Sequence, residues 1–310
     1  MTHGRFAPSP TGDLHLGNLR TALIAWLSAR HAGGAFTVRM EDLDRVTSST
    51  ALAARQLDDL AALGIDWDGE VVFQSERFDR YRAAIDRLTD LGLTYPCFCT
   101  RREILEAAQA PHGGEVTYPG TCRDLGAAQR RERTERLAPG RQPAIRLRSH
   151  GEVITFTDTV LGEVSGTVDD VVLQRNDGVP AYNLAVVVDD DAQGIDEVVR
   201  GDDLATSTPR QIHLARLLGL RVPIHAHVPL VLGSDGERLA KRHGAVTRAD
   251  LAAQGIGPDA LRSQLAVSIG LAEPDEPVSA AALVERFTWD RLPRSPWTAP
   301  HHPGSDGSHT

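Results

Sequence analysis

Residues 7–18 read Ala7-Pro8-Ser9-Pro10-Thr11-Gly12-Asp13-Leu14-His15-Leu16-Gly17-Asn18. Just before them Arg5-Phe6-Ala7 is a short extended candidate. Just after them Leu16, Leu19, Leu23, Trp26 and Leu27 recur at helical spacing until Gly33-Gly34 stops the pattern. The stretch is therefore read as the turn from a first strand into a first helix. A helix N-terminus presents unpaired backbone N–H groups and a partial positive charge, so such a turn can seat a phosphate. Gly12 and Gly17 let the backbone turn tightly and approach a ligand, and His15 can donate a hydrogen bond to a phosphate oxygen. The same letters also describe an ordinary proline-rich turn with a surface histidine, and the rest of the chain has to decide.

Outward from this turn, a strand is expected over residues 35–40. A second helix, capped by Ser48 or Ser49, runs to Leu63 before Gly64, and a third covers residues 78–91 before Gly92. Strands alternating with helices predict an α/β fold with a parallel sheet and crossover helices. From residue 95 to 143 the pattern breaks into a stretch rich in Cys, Gly and Arg, read as an insertion. Strand character resumes over 144–148, 153–157 and 171–175, and Asn176-Asp177-Gly178 signals a hairpin turn into a further strand over 181–188. Thr208-Pro209 starts a helix reaching Gly219, and two short amphipathic helices are expected beyond about residue 250. The expected division is residues 1–94 and 144–249 as two halves of one core, 95–143 as the insertion, 250–297 as a short helical region and 298–310 as a disordered tail.

At 310 residues the chain can bury a substantial core. Its 42 acidic against 33 basic side chains, a net charge of -9, disfavour a protein that coats nucleic acid. A local patch from Arg130, Arg131, Arg133, Arg136, Arg141, Arg146 and Arg148 could still touch RNA, although Glu132 and Glu135 among them also suit a solvated helix face. Three cysteines, an odd count, argue for a reducing cytoplasm. No signal-peptide core or membrane-length apolar run is present in the sequence.

Two further clusters carry chemistry. Gly236-Glu237-Arg238-Leu239-Ala240-Lys241-Arg242 is a glycine- and charge-rich loop whose Lys241 could neutralise charge growing on a leaving pyrophosphate. Cys97, Cys99 and Cys122 offer three thiolates within a short span, suited to a closed, structural zinc site that needs a fourth ligand. On ligand chemistry His112 is the first choice for that ligand; three buried free thiols are the plain alternative.

Residues 7–18 resemble the first signature of class I aminoacyl-tRNA synthetases in the form used by glutamyl-tRNA synthetases, and Arg238-Leu239-Ala240-Lys241-Arg242 resembles their second. Residues 38–44, 182–190 and 197–204 also resemble glutamyl-enzyme segments, so five ordered matches span roughly residues 3–297. Asn18 replaces the second histidine of the first signature, and Ala240 replaces the serine before the lysine of the second. The chain also ends soon after the second signature, where glutamyl-tRNA synthetases continue into a helical anticodon-binding region. In this it is similar to the glutamyl-queuosine tRNA(Asp) synthetases, which place glutamate on the queuosine base of the tRNA(Asp) anticodon.

The resemblance implies a Rossmann-type core. It implies that Arg5, Phe6, Ala7, Pro8, Ser9, Glu41, Tyr182 and Arg200 bind L-glutamate, with Glu41 taking the ammonium. It implies that His15, Gly17, Asn18 and Lys241 bind ATP, His15 and Lys241 being the catalytic pair, and that Mg²⁺ accompanies the nucleotide. It also implies Tyr118 rather than His112 as the fourth zinc ligand. The expected reaction is tRNA-independent formation of glutamyl-adenylate, then transfer to queuosine-bearing tRNA(Asp), by a cytoplasmic monomer with no membrane partner. A short glutamyl-tRNA synthetase charging the tRNA 3′ end, a small-molecule nucleotidyltransferase and a non-catalytic zinc-containing RNA-binding module are the other readings.

Overall fold

The structure, a computed structural model, describes residues 2–100, 102–104, 118–233, 236 and 246–300. Twelve strands are present among the described residues. They are β1 (Gly4–Phe6), β2 (Phe36–Met40), β3 (Val72–Phe73), β4 (Thr94–Cys97), β5 (Ala144–Leu147), β6 (Val153–Asp158), β7 (Gly162–Thr167), β8 (Val172–Gln174), β9 (Glu197–Gly201), β10 (Ile224–Val228), β11 (Val231–Leu232) and β12 (Trp297–Thr298). The helices are α1 (Leu16–His31), α2 (Thr50–Ala62), α3 (Phe78–Asp90), α4 (Ala127–Glu135), α5 (Tyr182–Ala192), α6 (Thr208–Leu218), α7 (Arg248–Ala253), α8 (Pro258–Ser268) and α9 (Ala280–Arg286).

Seven strands form the main sheet in the order β3-β2-β1-β9-β10-β6-β7, every pair parallel except the β6–β7 hairpin. The chain runs outward from β1 to β2 and β3 on one side, then returns much later as β9 on the other. Such a reversal of strand order opens a crevice beyond the carboxyl ends of the strands, the usual ligand seat of an open α/β sheet. The loop after β1 is the proline-rich turn of residues 7–15, so the sheet topology delivers that turn to the crevice.

Helix α1 is buried on nearly its whole circumference, from Leu16 to Ala29. It packs on β1 and β9 and is covered by α9, as an all-round apolar helix requires. Ser49 caps α2 by accepting from the Leu52 N–H, and Gly219 closes α6 in the left-handed conformation at φ 63°. The insertion lies on a separate three-stranded antiparallel sheet, β4-β5-β8.

Three expectations are corrected. Residues 181–188 do not form a strand: Ala181 precedes α5. The hairpin turn does form, with Arg175 N–H bonded to the Val179 carbonyl and Gly178 at φ 84°, but its returning arm is a single bridge from Gln174 to Pro180. Proline cannot donate to a ladder, and the apolar run that follows, Leu184 to Val187, is buried as a helix rather than as alternate faces of a strand. Among the described residues three α-helices, not two, follow residue 246. Thr298 belongs to β12, paired with β11, and Ala299 is buried with its N–H on the Leu232 carbonyl, so the ordered chain runs past the expected boundary of the tail. Residues 301–310 lie outside the described residues.

Arg20 ties α1 to the C-terminal helices. Its guanidinium, 1% exposed, donates to Ser268 Oγ at 3.1 Å, to the Ser268 carbonyl at 3.3 Å and to the Pro229 carbonyl at 2.8 Å. Burial lowers its pKa to about 10, with Asp202 opposing. Arg20→Met leaves these buried acceptors without their donor and is expected to destabilise the fold by about 2–4 kcal/mol, measured from the urea midpoint at unchanged m-value.

Candidate active site

The crevice holds a cavity of about 400 Å³. Its walls come from the turn after β1, from Glu41 just past β2, from Gly201 at the end of β9 with Asp203 and Leu204 beyond it, from Leu230 and Val231 after β10, and from Tyr182 at the start of α5. Arg5, Phe6, Ala7, Pro8, Ser9, Glu41, Tyr182 and Arg200, eight residues scattered over the first 200, all line it, together with His15, Gly17 and Asn18. Residues 237–245, and Lys241 with them, lie outside the described residues. The flank that follows them is anchored here: the Val246 carbonyl accepts from Leu16 N–H at 3.1 Å, and Thr247 bridges to His15.

The N-terminus of α1 differs from the expectation of free N–H groups. His15 is its N-cap, and its Nδ1 accepts from the N–H groups of Gly17 at 3.1 Å and Asn18 at 3.4 Å, while Asn18 Oδ1 accepts from the His15 N–H at 3.2 Å. This reciprocal capping, with Val246 on Leu16, occupies the donors that would otherwise face a phosphate. Because Nδ1 accepts, the neutral ring carries its proton on Nε2. The imidazole edge and the helix dipole, rather than bare amides, are what this turn offers an anion. Asn18 serves this geometry through its carboxamide oxygen.

Buried charge dominates the floor. Arg39 is fully buried and spreads its guanidinium over Asp190 at 2.8 Å, Gln193 at 2.8 Å, Glu41 at 3.4 Å and Asp189 at 3.9 Å. Asp189 is further held by Arg77, Gln74 and Tyr81. Among the described residues the Glu41 carboxylate thus has only a long contact to a shared arginine, and burial raises its pKa against the opposing pull of Arg39 and Arg5. Arg5 makes one hydrogen bond among the described residues, to the Val199 carbonyl, and its Nε, 3.5 Å from Asp190, has no hydrogen-bond partner among them.

Arg200 is the reverse case. It is 5% exposed, and every acceptor it meets is neutral: His227 Nε2 at 3.1 Å, Thr208 Oγ1 at 2.7 Å, Tyr182 Oη at 3.4 Å, Leu204 O at 3.4 Å and Ser207 Oγ at 3.4 Å. It forms no ion pair among the described residues, with Asp202 or any other carboxylate, and burial lowers its pKa. A buried cation without a counter-ion is costly unless a ligand supplies one. One cavity therefore presents under-compensated cations at Arg5 and Arg200 and an under-compensated anion at Glu41, a pattern suited to an amino acid with an additional carboxylate.

Sequence reasoning missed Arg39, Asp190, Asp158, Thr208 and His227. Arg39 and Asp190 stand inside the segments 38–44 and 182–190, and only their burial singles them out.

The cysteine cluster lies about β4. The Sγ atoms of Cys97, Cys99 and Cys122 are all within 4.8 Å of one another, with Cys99 to Cys122 at 3.6 Å, too far for a disulfide. Tyr118 Oη sits 3.4 Å from Cys97 Sγ and 3.7 Å from Cys99 Sγ. A zinc tetrahedron with metal–sulfur bonds of about 2.3 Å has edges of roughly 3.8 Å, so these spacings fit a four-ligand closed site. His112 lies outside the described residues. The arginine run does not form one surface: α4 is exposed and carries Arg130, Arg131 and Arg133, whereas Arg146 is buried over the Tyr118 ring at 3.7 Å and bonds the Asp170 carbonyl, and Arg148 pairs with Asp124.

A charged small-molecule pocket at the switch point of a parallel sheet, beside the capped start of a helix, stands where open α/β sheets carry their ligand site. The family model for tRNA synthetases class I (E and Q), catalytic domain, matches residues 1–302, and the chain belongs to that family. A glutamyl-Q tRNA(Asp) synthetase from Nocardia farcinica is 59% identical over 294 residues, which are 95% of this chain and 92% of that one. A glutamate–tRNA ligase from Oleidesulfovibrio alaskensis is 44% identical over 300 residues, 94% of this chain but 62% of the ligase. Among solved structures, a glutamate tRNA ligase from Elizabethkingia meningosepticum in complex with its amino acid superposes with a TM-score of 0.81 at 27% identity, covering 96% of this chain and 66% of that one. The protein is thus a ligase-type enzyme, and its family implies ATP with Mg²⁺, glutamate and tRNA as reactants. No helix among the described residues is long and apolar enough to cross a membrane.

Proposed function

We propose that this enzyme activates L-glutamate with ATP, without needing tRNA for that step, and transfers the glutamyl group to the queuosine base in the anticodon of tRNA(Asp). The observation that carries the amino-acid half is Arg200, a buried cation with only neutral partners, in one cavity with Arg5 and the under-compensated Glu41. Glu41 takes the ammonium, and Arg200 with Tyr182 takes the side-chain carboxylate, while Arg5 and the backbone of Phe6 to Ser9 close the pocket around the rest. An oxygen of the glutamate α-carboxylate attacks the α-phosphorus of ATP in line, the bond to the β-phosphate oxygen breaks, and pyrophosphate leaves with its electron pair. Mg²⁺, bound with the nucleotide, supplies charge neutralisation. The chain's own part is positioning and electrostatics: His15 offers its Nε2–H, Gly17 and Asn18 shape the seat, and Lys241 steadies the leaving pyrophosphate. Val246 and Thr247, which follow Lys241 in the chain, are anchored on Leu16 and His15.

For the second half, support comes from relatives matched over nearly their whole length, which carry the name glutamyl-Q tRNA(Asp) synthetase. The cytoplasm, where ATP and tRNA meet, is the proposed compartment. Cys97, Cys99, Cys122 and Tyr118 are proposed to hold a structural zinc, Tyr118 through its phenolate, with the donor spacing as the support.

Glutamate-dependent pyrophosphate exchange should proceed in the absence of tRNA, and Glu41→Gln should raise the KM for glutamate by the worth of a charged hydrogen bond, about 1.5–3 kcal/mol or roughly tenfold to a hundredfold, with the KM for ATP little changed. A parallel rise of both constants removes Glu41 from the amino-acid pocket. Metal analysis should find about one zinc per chain, lost in Cys122→Ser; wild-type protein produced with zinc and containing none ends the metal proposal. Radiolabelled glutamate should enter tRNA from queuosine-making cells and not tRNA from cells unable to make it. Equal labelling of both pools returns the chain to 3′-end charging.

A further inference from the structure

Three adjacent strands carry a buried polar chain that ends on Arg200. In the parallel register His227 on β10 stands directly beside Arg200 on β9, and β10 meets β6 where His225 faces Asp158. Asp158 Oδ2 lies 2.6 Å from His227 Nδ1, and His227 Nε2 lies 3.1 Å from Arg200 Nε and 3.1 Å from Thr208 Oγ1. Asp158 and His227 are at most 2% exposed, and neither lines the cavity.

The protons on this chain can be assigned. Arg200 Nε always carries hydrogen, so His227 Nε2 must accept, and the ring proton sits on Nδ1, where it is donated to Asp158. Thr208 accepts from Arg200 Nη2, and its hydroxyl, 3.1 Å from His227 Nε2, can only share the single lone pair that the Arg200 Nε–H already uses. Asp158 is held in turn by the N–H groups of Val160 and Leu161, both at 2.9 Å on Oδ1, and by that of His227. Burial opposes its charge, but these bonds and His227 keep its pKa down at about 2, and burial also lowers that of His227.

We propose that Asp158 and His227 are positioning residues for glutamate recognition: Asp158 selects the Nδ1–H tautomer of His227, and the neutral ring aims Arg200 without quenching its charge. A carboxylate in the place of His227 would hold the guanidinium equally well but satisfy it internally. The imidazole fixes one edge of Arg200 through a lone pair and leaves the positive charge to the ligand, while the negative charge of Asp158 stays one ring further away. The inference rests on the amino-acid reading of the pocket.

Asp158→Asn tests it. The carboxamide oxygen keeps Val160 and Leu161, so the NH₂ faces His227 Nδ1 and forces the proton to Nε2, where it opposes the Arg200 donor. In pyrophosphate exchange the KM for glutamate should rise at least about tenfold and the KM for ATP change less than about twofold. His227→Gln, whose carboxamide oxygen can accept from Arg200, should lie between wild type and Asp158→Asn. The ring nitrogens of ¹⁵N-histidine-labelled resting enzyme, assigned by difference with His227→Gln, should show one Nδ1–H tautomer that Asp158→Asn abolishes. A wild-type Nε2–H ring at position 227, or KM values for glutamate and ATP that move together or not at all in both variants, overturns the proposal. Exchange by wild type that ignores glutamate overturns the amino-acid reading instead, and the tautomer measurement still judges the pair.

Discussion

Parallel pairing of β1 with β2 on one side and β9 on the other brings the carboxyl ends of strands far apart in the chain to one edge of the sheet. The pocket is a consequence of that pairing. Ser9, Glu41, Arg200 and Val231 share no local sequence context, yet each lies within a few residues of the end of β1, β2, β9 or β10 and so reaches the same crevice. Helix α1 makes the arrangement rigid: its apolar circumference is clamped between the sheet and α9, and Arg20 fastens it to Ser268 and to Pro229 at the entry to the pocket-lining Leu230.

Burying this many charges works against stability unless each is paired. Asp189 is saturated, with Arg77, Gln74 and Tyr81 in contact, and Asp190 is held close to Arg39. Arg200 and Glu41 are not. Arg20 and Glu197 are also buried, with no ion pair among the described residues, but away from the cavity. Arg200 and Glu41 differ in facing it, where a ligand can supply the missing charge.

The insertion is coupled to the core by a different hub. Asp170 accepts from Tyr95 Oη and Arg123 on one oxygen and from Ser149 on the other, next to the ring of Tyr118 beneath Arg146. The sulfur cluster is therefore seated on the β4-β5-β8 sheet by buried polar bonds, apart from the crevice; Arg123, Arg146 and Arg148 are used internally, while Arg130, Arg131 and Arg133 stay on the exposed α4.

The sequence by itself determined the alternation of strand and helix in the first hundred residues, because the apolar spacing of residues 16–31 and the stops at Gly33, Gly64 and Gly92 are local signals. It also contained the residues of the pocket, but only their joint order along the chain marked them, since Glu41 or Arg200 alone is an unremarkable charge. Tertiary structure decided what local chemistry could not. Residues 182–188 are helical because Leu184 to Val187 are buried on several sides, a condition under which alternation carries no information. The first N–H groups of α1 are occupied because His15 and the distant Val246 fold back on them. The partnership of Asp158, His227 and Arg200 exists only through the register of β6, β10 and β9, since hydrogen bonds between parallel strands join residues that the sequence separates by 27 and 69 positions.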